Sequence, residues 1–272
     1  MSRRASLLID SVRWDGGERH AGRDPLAVEE PLEIRLDGKP VAVTMRTPGD
    51  DFSLAAGFLF TEGILSGADQ VGSIVHCADD SDEGWENVVN VLTAPAAAPP
   101  AEGWQRRFYV TSSCGICGRS SIEAVKQVAP PLEDATCFNA EILYTLPEVL
   151  RRSQRLFIET GALHAAGLFS PEGALRRLME DVGRHNAVDK IVGAEFLEDG
   201  VPIRRHLLLV SGRLSFEIAQ KARMAGIPAL AGISGASSLA VDLAREAGML
   251  LVGFLRGRTM QVYAGGERLC GT

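Results

Sequence analysis

The chain has 272 residues, a net charge of −7 and a pI near 5.3. This length can bury a sizeable core as one large domain or two modest ones. Its acidic balance excludes general electrostatic binding to nucleic acid, which needs basic surface.

Five cysteines with one close pair argue against a secreted disulfide framework and fit a reducing compartment. Arg3 and Arg4 precede an apolar run too short for a signal-peptide core, and the longest apolar stretch, 249–255, is strand-sized. A soluble cytoplasmic protein is expected.

In chain order, residues 32–36 and 41–45 read as strands around the turn Asp37-Gly38-Lys39-Pro40. Residues 50–65 carry Leu54, Phe58 and Leu59 at helical spacing, with Ser53 or the preceding aspartates as caps, so a helix should pack on that sheet. Strands follow at 73–77 and 87–93 around an acidic loop, 79–86. The proline-rich stretch 95–103 reads as an extended connector. It is the expected boundary between an N-terminal α+β subdomain, 1–105, and a second domain, 106–272.

Residues 108–111 then read as a strand entering Ser112-Ser113-Cys114-Gly115-Ile116-Cys117-Gly118-Arg119-Ser120-Ser121. Ser120 and Glu123 have the spacing of a capping box, so a helix should open there and continue to 128. A helix N-terminus and Arg119 both favour a thiolate over a thiol. Gly115 and Gly118 permit tight curvature and close approach of a partner. Zinc binding, thiol–disulfide exchange, persulfide carriage and two merely structural thiols are all compatible with one CxxC. Zinc lacks two further ligands at short spacing, since Cys77, Cys137 and Cys270 are isolated in sequence. A thioredoxin-like role would place the second cysteine inside the helix, whereas here both thiols precede it.

Downstream, a helix over 140–155 should bend or divide at Pro147. Residues 163–169 and 175–181 read as a hairpin, 186–197 as a helix and 207–210 as a buried strand. Helix 216–225, strand 228–233, helix 238–247 and strands 249–255 and 260–263 complete the chain. This alternation predicts a three-layer α/β sandwich with a partly parallel sheet.

Three of these strands end in backbone-rich loops: Ser211-Gly212-Arg213, Ser234-Gly235-Ala236-Ser237-Ser238 and Arg256-Gly257-Arg258-Thr259. Loops of this kind collect phosphate-bearing ligands on α/β sheets, although each is also an ordinary turn or cap. None matches a Walker loop or GxGxxG. The run Glu180-Asp181-Val182-Gly183-Arg184-His185-Asn186 adds charge at a strand-to-helix junction. Asn186 has the form of a cap and the Asp–Arg pair that of a salt bridge.

With these segments in place, the chain resembles the formate dehydrogenase accessory sulfurtransferase family, FdhD. The resemblance rests on Glu29-Glu30-Pro31-Leu32, Ala56-Gly57-Phe58-Leu59-Phe60-Thr61-Glu62-Gly63, the cysteine loop, Gly161-Ala162-Leu163-His164-Ala165-Ala166, residues 180–190, Ser211-Gly212-Arg213 and Gly253-Phe254-Leu255-Arg256-Gly257. It implies a cytidine-deaminase-like α/β fold with a mixed sheet for the second domain, and a homodimer. It also implies sulfur transfer from a cysteine desulfurase persulfide to the molybdenum of a bis-guanine-dinucleotide cofactor (Mo-bis-MGD), which then serves a formate dehydrogenase catalytic subunit. No protein-held metal is implied. Carried over by motif, Cys114 is the persulfide-forming residue and Cys117 its companion, while Phe254, Leu255, Arg256, Gly257, Arg258 and Thr259 are the cofactor segment. His164, Asp181, His185 and Arg213 are further candidates for the cofactor pocket. Zinc-deaminase chemistry is not implied, since Ser113 stands where proline would and Leu163-His164-Ala165-Ala166 offers no glutamate. A cofactor chaperone without sulfur transfer and a thiol oxidoreductase remain the alternatives.

Overall fold

A computed structural model describes residues 4–77, 87–95 and 132–271. The CxxC motif, the strand and helix expected beside it, the acidic loop and nearly all of the proline-rich connector lie outside the described residues. So does the expected domain boundary.

The chain opens with a hairpin absent from the sequence reading, β1 (Ser6–Asp15) and β2 (Glu18–Ala27). Its apolar residues lie on both faces, with Leu7, Leu8 and Trp14 exposed, so it lacks the one-sided alternation that marks a half-buried strand. Next come β3 (Glu30–Leu36) and β4 (Lys39–Arg46), joined by Asp37 and Gly38, both at positive φ as a tight hairpin requires. Helix α1 (Asp51–Thr61), β5 (Val71–His76) and β6 (Val88–Thr93) complete a four-stranded sheet of order β4-β3-β6-β5. Leu32, Ile34 and Leu36 alternate inward on β3 and share one core with Leu54 and Leu59 of α1. Asp50 precedes α1 in the left-handed region and makes no side-chain cap bond, and Asp51 is instead held by Arg46.

A two-residue strand, β7 (Phe138–Asn139), leads into α2 (Ala140–Ser153) and the short α3 (Arg155–Thr160). Pro147 does not divide α2. The apolar stripe Leu143, Leu146 and Leu150 is buried on either side of it, and the chain breaks at Gln154. Packing of that stripe outweighs the lost hydrogen bond. There follow β8 (His164–Phe169), β9 (Leu175–Asp181), α4 (Arg184–Leu197), β10 (Leu207–Val210), α5 (Phe216–Met224), β11 (Ala229–Gly232) and α6 (Ser238–Ala247). The chain closes with β12 (Leu250–Arg256), β13 (Thr259–Ala264) and β14 (Leu269–Cys270). Asn186 lies inside α4 and Gly183 takes the cap position.

The main sheet has six strands in the order β13-β12-β11-β10-β8-β9, with β10, β11 and β12 parallel and the remaining neighbours antiparallel. Both faces are covered, which explains the unbroken apolar runs of its central strands. Leu207, Leu209, Ala229, Ala231, Leu250 and Val252 face α2, while Leu208, Val210, Leu230 and Leu251 face α4, α5 and α6. The sandwich is therefore three-layered and mixed. The core on the α4 side continues without interruption into α1 and the four-stranded sheet.

Two devices weld these parts. Helices α1 and α4 cross at Gly57 and Gly193, where a Cβ on Gly193 would overlap the Ser53 carbonyl and one on Gly57 the Asp189 carbonyl. Buried between α1, α4 and α5, the Lys221 ammonium lies 2.9 Å from the Asp189 carboxylate, 3.0 Å from Thr61 Oγ1 and 3.4 Å from Glu62. Burial pulls the Lys221 pKa down, but two facing carboxylates hold it above the ordinary lysine value. Asp189, sharing one cation with Glu62, is pushed up by the same burial.

Candidate cofactor-binding edge

The strand directions bring one edge of the six-stranded sheet together. Strands β9, β10, β11 and β12 end there, and β8 begins there at His164. Helices α4, α5 and α6 all start from this edge, each directly after one of those strands. Their N-termini direct partial positive charge towards it, the arrangement that favours an anionic ligand.

The loops are joined to one another by backbone hydrogen bonds. Ile233 N–H donates to Val210, Leu214 N–H to the Gly235 carbonyl, Ser237 N–H to the Leu214 carbonyl and Phe254 N–H to the Ser234 carbonyl, at 3.0–3.1 Å. Ser211 bonds across to β8 twice, its N–H to the Ala165 carbonyl and its Oγ to the Ala165 N–H, both at 3.0 Å. Ser215 and Ser237 cap α5 and α6 by accepting from Ile218 and Ala240 N–H groups. Serine in these loops thus has a folding role as well as a place at the edge.

Gly212 sits between His164 and Arg184, since a Cβ there would lie 3.6 Å from His164 Nδ1 and 3.5 Å from Arg184 Cδ. Arg184 Nε is buried with no hydrogen-bond partner. A buried donor without a partner is costly, and an anion at this edge would satisfy it. His164 is lowered below the ordinary histidine pKa of 6.5, by burial first and then by the charges of Arg184 and His185, with Asp181 opposing. The shift favours the neutral imidazole. An NMR titration of His164 should give a midpoint below 6.5, and Arg184→Gln should raise it by removing the nearest positive charge. A midpoint that ignores Arg184→Gln would show the two side chains to be uncoupled.

His185 faces Glu217 Oε2 at 2.9 Å and Ser215 Oγ at 3.4 Å. Arg213 is exposed on the β10 loop. Asp181, by contrast, is fully buried and does not line the edge. Its Oδ2 lies 2.8 Å from Lys190 Nζ and accepts from Thr47 N–H, while Oδ1 accepts from Gly183 N–H and Asn186 Nδ2. The salt bridge read between Asp181 and Arg184 is made to Lys190 instead.

The segment 254–259 divides by side chain. Phe254 is exposed at φ +49°, a strained position for a bulky residue, and its ring lies over Gly235, where a Cβ would come within 2.8 Å. Arg256 stacks over that ring at 5.8 Å and anchors Nε on the Ile233 carbonyl at 2.9 Å. Leu255 is fully buried against the α2 layer, so only its backbone reaches the edge. Arg258 points to α2, 2.7 Å from Glu141 and over the Tyr144 ring. Gly257 and Thr259 are exposed. Glu217 and the orphaned Arg184 Nε escaped the sequence reading; a run of charges at a helix start hints at Arg184, but nothing local announces Glu217.

Among the described residues, no group of three or more His, Cys, Asp or Glu side chains is placed to hold a metal ion, and no helix is long and apolar enough to cross a membrane. A model of the FdhD/NarQ family matches residues 27–270. The chain is 55% identical to the sulfur carrier protein FdhD of Streptomyces avermitilis, covering 95% of this chain and 93% of that one. It is 49% identical to the Mycobacterium tuberculosis protein of the same description, covering 90% and 92%. Among solved structures, a protein of Desulfotalea psychrophila described as a candidate formate dehydrogenase accessory protein superposes with a TM-score of 0.78 at 25% identity, covering 98% of this chain and all of that one.

Proposed function

The chain belongs to the FdhD/NarQ family, and from that premise we propose that it is a sulfurtransferase serving formate dehydrogenase. In this reading Cys114 accepts sulfur from a cysteine desulfurase and delivers it to the molybdenum of Mo-bis-MGD before the cofactor enters the formate dehydrogenase catalytic subunit. The observation that carries the reading is the sheet edge, along which three helix N-termini, Arg184, Arg256 and the strained Phe254 are placed. Such a set suits a ligand with several phosphates and a stacking base. Arg184 would bind phosphate through its unsatisfied Nε, the loop N–H groups would orient it, and the Phe254 ring would stack a base. Molybdenum here is cargo, brought by the cofactor.

The sulfur steps balance with the two motif cysteines. Cys114 thiolate attacks the outer sulfur of the donor persulfide, the donor S–S bond breaks, and the desulfurase thiolate leaves. Delivery as sulfide then needs two electrons. Cys117 thiolate supplies them by attacking Cys114 Sγ, releasing hydrosulfide to the metal and leaving a Cys114–Cys117 disulfide. We further place the protein in the cytoplasm as a homodimer, and its six-stranded unit with the cytidine-deaminase-like folds.

The test is intact mass after incubation with a desulfurase and cysteine. Wild type should gain one sulfur, and Cys114→Ala should lose that adduct. An unmodified wild type that still binds the cofactor would favour a chaperone, and a Cys114–Cys117 disulfide active on dithiol substrates would favour an oxidoreductase.

A further inference from the structure

The N-terminal hairpin leaves one strand edge open. Val28 N–H donates to the Ala5 carbonyl at 2.9 Å, in register with the ladder that runs from Ser6 opposite Ala27 to Asp15 opposite Glu18. Hydrogen-bonded and non-bonded pairs alternate along an antiparallel ladder, so Leu7, Ile9, Ser11, Arg13 and Asp15 direct their backbone groups to β2. Leu8, Asp10, Val12 and Trp14 turn theirs to the outer side of β1, where no described strand pairs with them. The hairpin meets α3 through β2 and through Ser6 Oγ, which donates to Glu159 at 2.6 Å. Strand β1 has no lysine, proline or bulge, the usual protections of such an edge. Its side chains are apolar as well. Leu8 is 50%, Val12 42% and Trp14 70% exposed on one face, with Leu7 and Ile9 exposed on the other. A two-stranded hairpin with both faces in water is marginal by itself.

We propose that the open edge of β1 pairs antiparallel with the same edge of a second copy of this chain, so that two hairpins form one four-stranded sheet across a two-fold axis. Two observations select this occupant. The chain carries a net charge of −7, so two copies repel in general, whereas β1 and β2 hold three arginines against four acidic residues and approach neutrality. The strand also fits itself. Ser11 is the centre of the four outward residues, and with Ser11 on the axis Leu8 lies opposite the second copy's Trp14 and Asp10 opposite its Val12. No like charges then oppose each other, whereas an axis at Asp10 or Arg13 would set them face to face.

In this arrangement every outward N–H and C=O of Leu8, Asp10, Val12 and Trp14 gains a backbone partner, and the exposed Leu8 and Trp14 side chains of the two copies pack across the seam. The inference deepens the homodimer reading given above by naming its surface. It does not depend on sulfur delivery.

The experiment is light scattering on the full-length chain at micromolar concentration, which should give a mass twice 29.1 kDa. Val12→Pro removes an outward N–H and no bond to β2, so it should yield a monomer. Ser11→Cys should join two chains on mild oxidation, because a non-hydrogen-bonded pair on the axis sets its Cα atoms about 4.5 Å apart, inside the roughly 4.4–6.8 Å span of a disulfide. Peptide mapping separates a link between the two positions 11 from links through the native cysteines. The hairpin contributes to neither buried core, so both variants should fold, and an unchanged circular dichroism spectrum checks this. A dimeric Val12→Pro, or Ser11→Cys with no link between the two positions, would overturn this surface and leave a dimer through another face. A monomeric wild type would overturn the surface and the homodimer together. The sulfur adduct on Cys114 is read separately, so neither result bears on sulfur transfer.

Discussion

Asp181→Ala should lower the unfolding free energy by about 3–5 kcal/mol, because it leaves the buried Lys190 ammonium without its counter-charge. The same substitution strands the N–H groups of Thr47 and Gly183 and the amide of Asn186, which all donate to that carboxylate. Domains of ordinary stability have about 5–15 kcal/mol in total, so the variant should approach the limit of folding at 37 °C. The double variant Asp181→Leu with Lys190→Met carries no buried charge and should recover part of the loss. Urea unfolding of the three proteins decides the matter. A midpoint for Asp181→Ala equal to wild type would mean that the carboxylate is solvated and free to act at the sheet edge. Since Asp181 holds the turn from which Arg184 and His185 project, the single variant should also weaken ligand binding there without touching the ligand.

Gly193→Ala should destabilise by about 1–3 kcal/mol or more, although alanine is the better helix former by about 1 kcal/mol. The added methyl would meet the Ser53 carbonyl and, at 2.5–2.8 Å, the backbone of Gly57 and Ser53, and neither is a side chain that can swing away. The helices must therefore separate, opening the core shared by α1 and α4 along its length. Gly22→Ala in β2 is the control, since nothing lies within 4 Å of a Cβ there and its φ is not positive. Thermal or urea unfolding should show a clear loss for Gly193→Ala and little change for Gly22→Ala. Equal behaviour of the two would show that the helices can part at no cost.

Much of the fold was legible in local pattern. Leu207 to Val210, Ala229 to Gly232 and Leu250 to Val252 are apolar runs of strand length between helical periods, and Ser215 and Ser237 stand where caps belong. The hairpin 6–27 was not legible, because its apolar side chains lie on both faces and much of it is solvent-exposed. Of the two outcomes expected at Pro147, a bend or a division, the division is absent, as buried Leu143, Leu146 and Leu150 hold the helix through it.

The candidate site divides along the same line. A CxxC beside glycines and an arginine, and three loops rich in Gly, Ser and Arg that follow strands, are properties of contiguous residues, so the sequence alone determined them. Only tertiary structure decided that those loops share one edge, that Arg184 keeps an unmet donor there, and that Arg258 turns away to Glu141. It alone converted Asp181 from a pocket candidate into a buried clamp. The physical reason is range: backbone preference and periodicity act over a few residues, whereas burial and charge pairing depend on partners far along the chain.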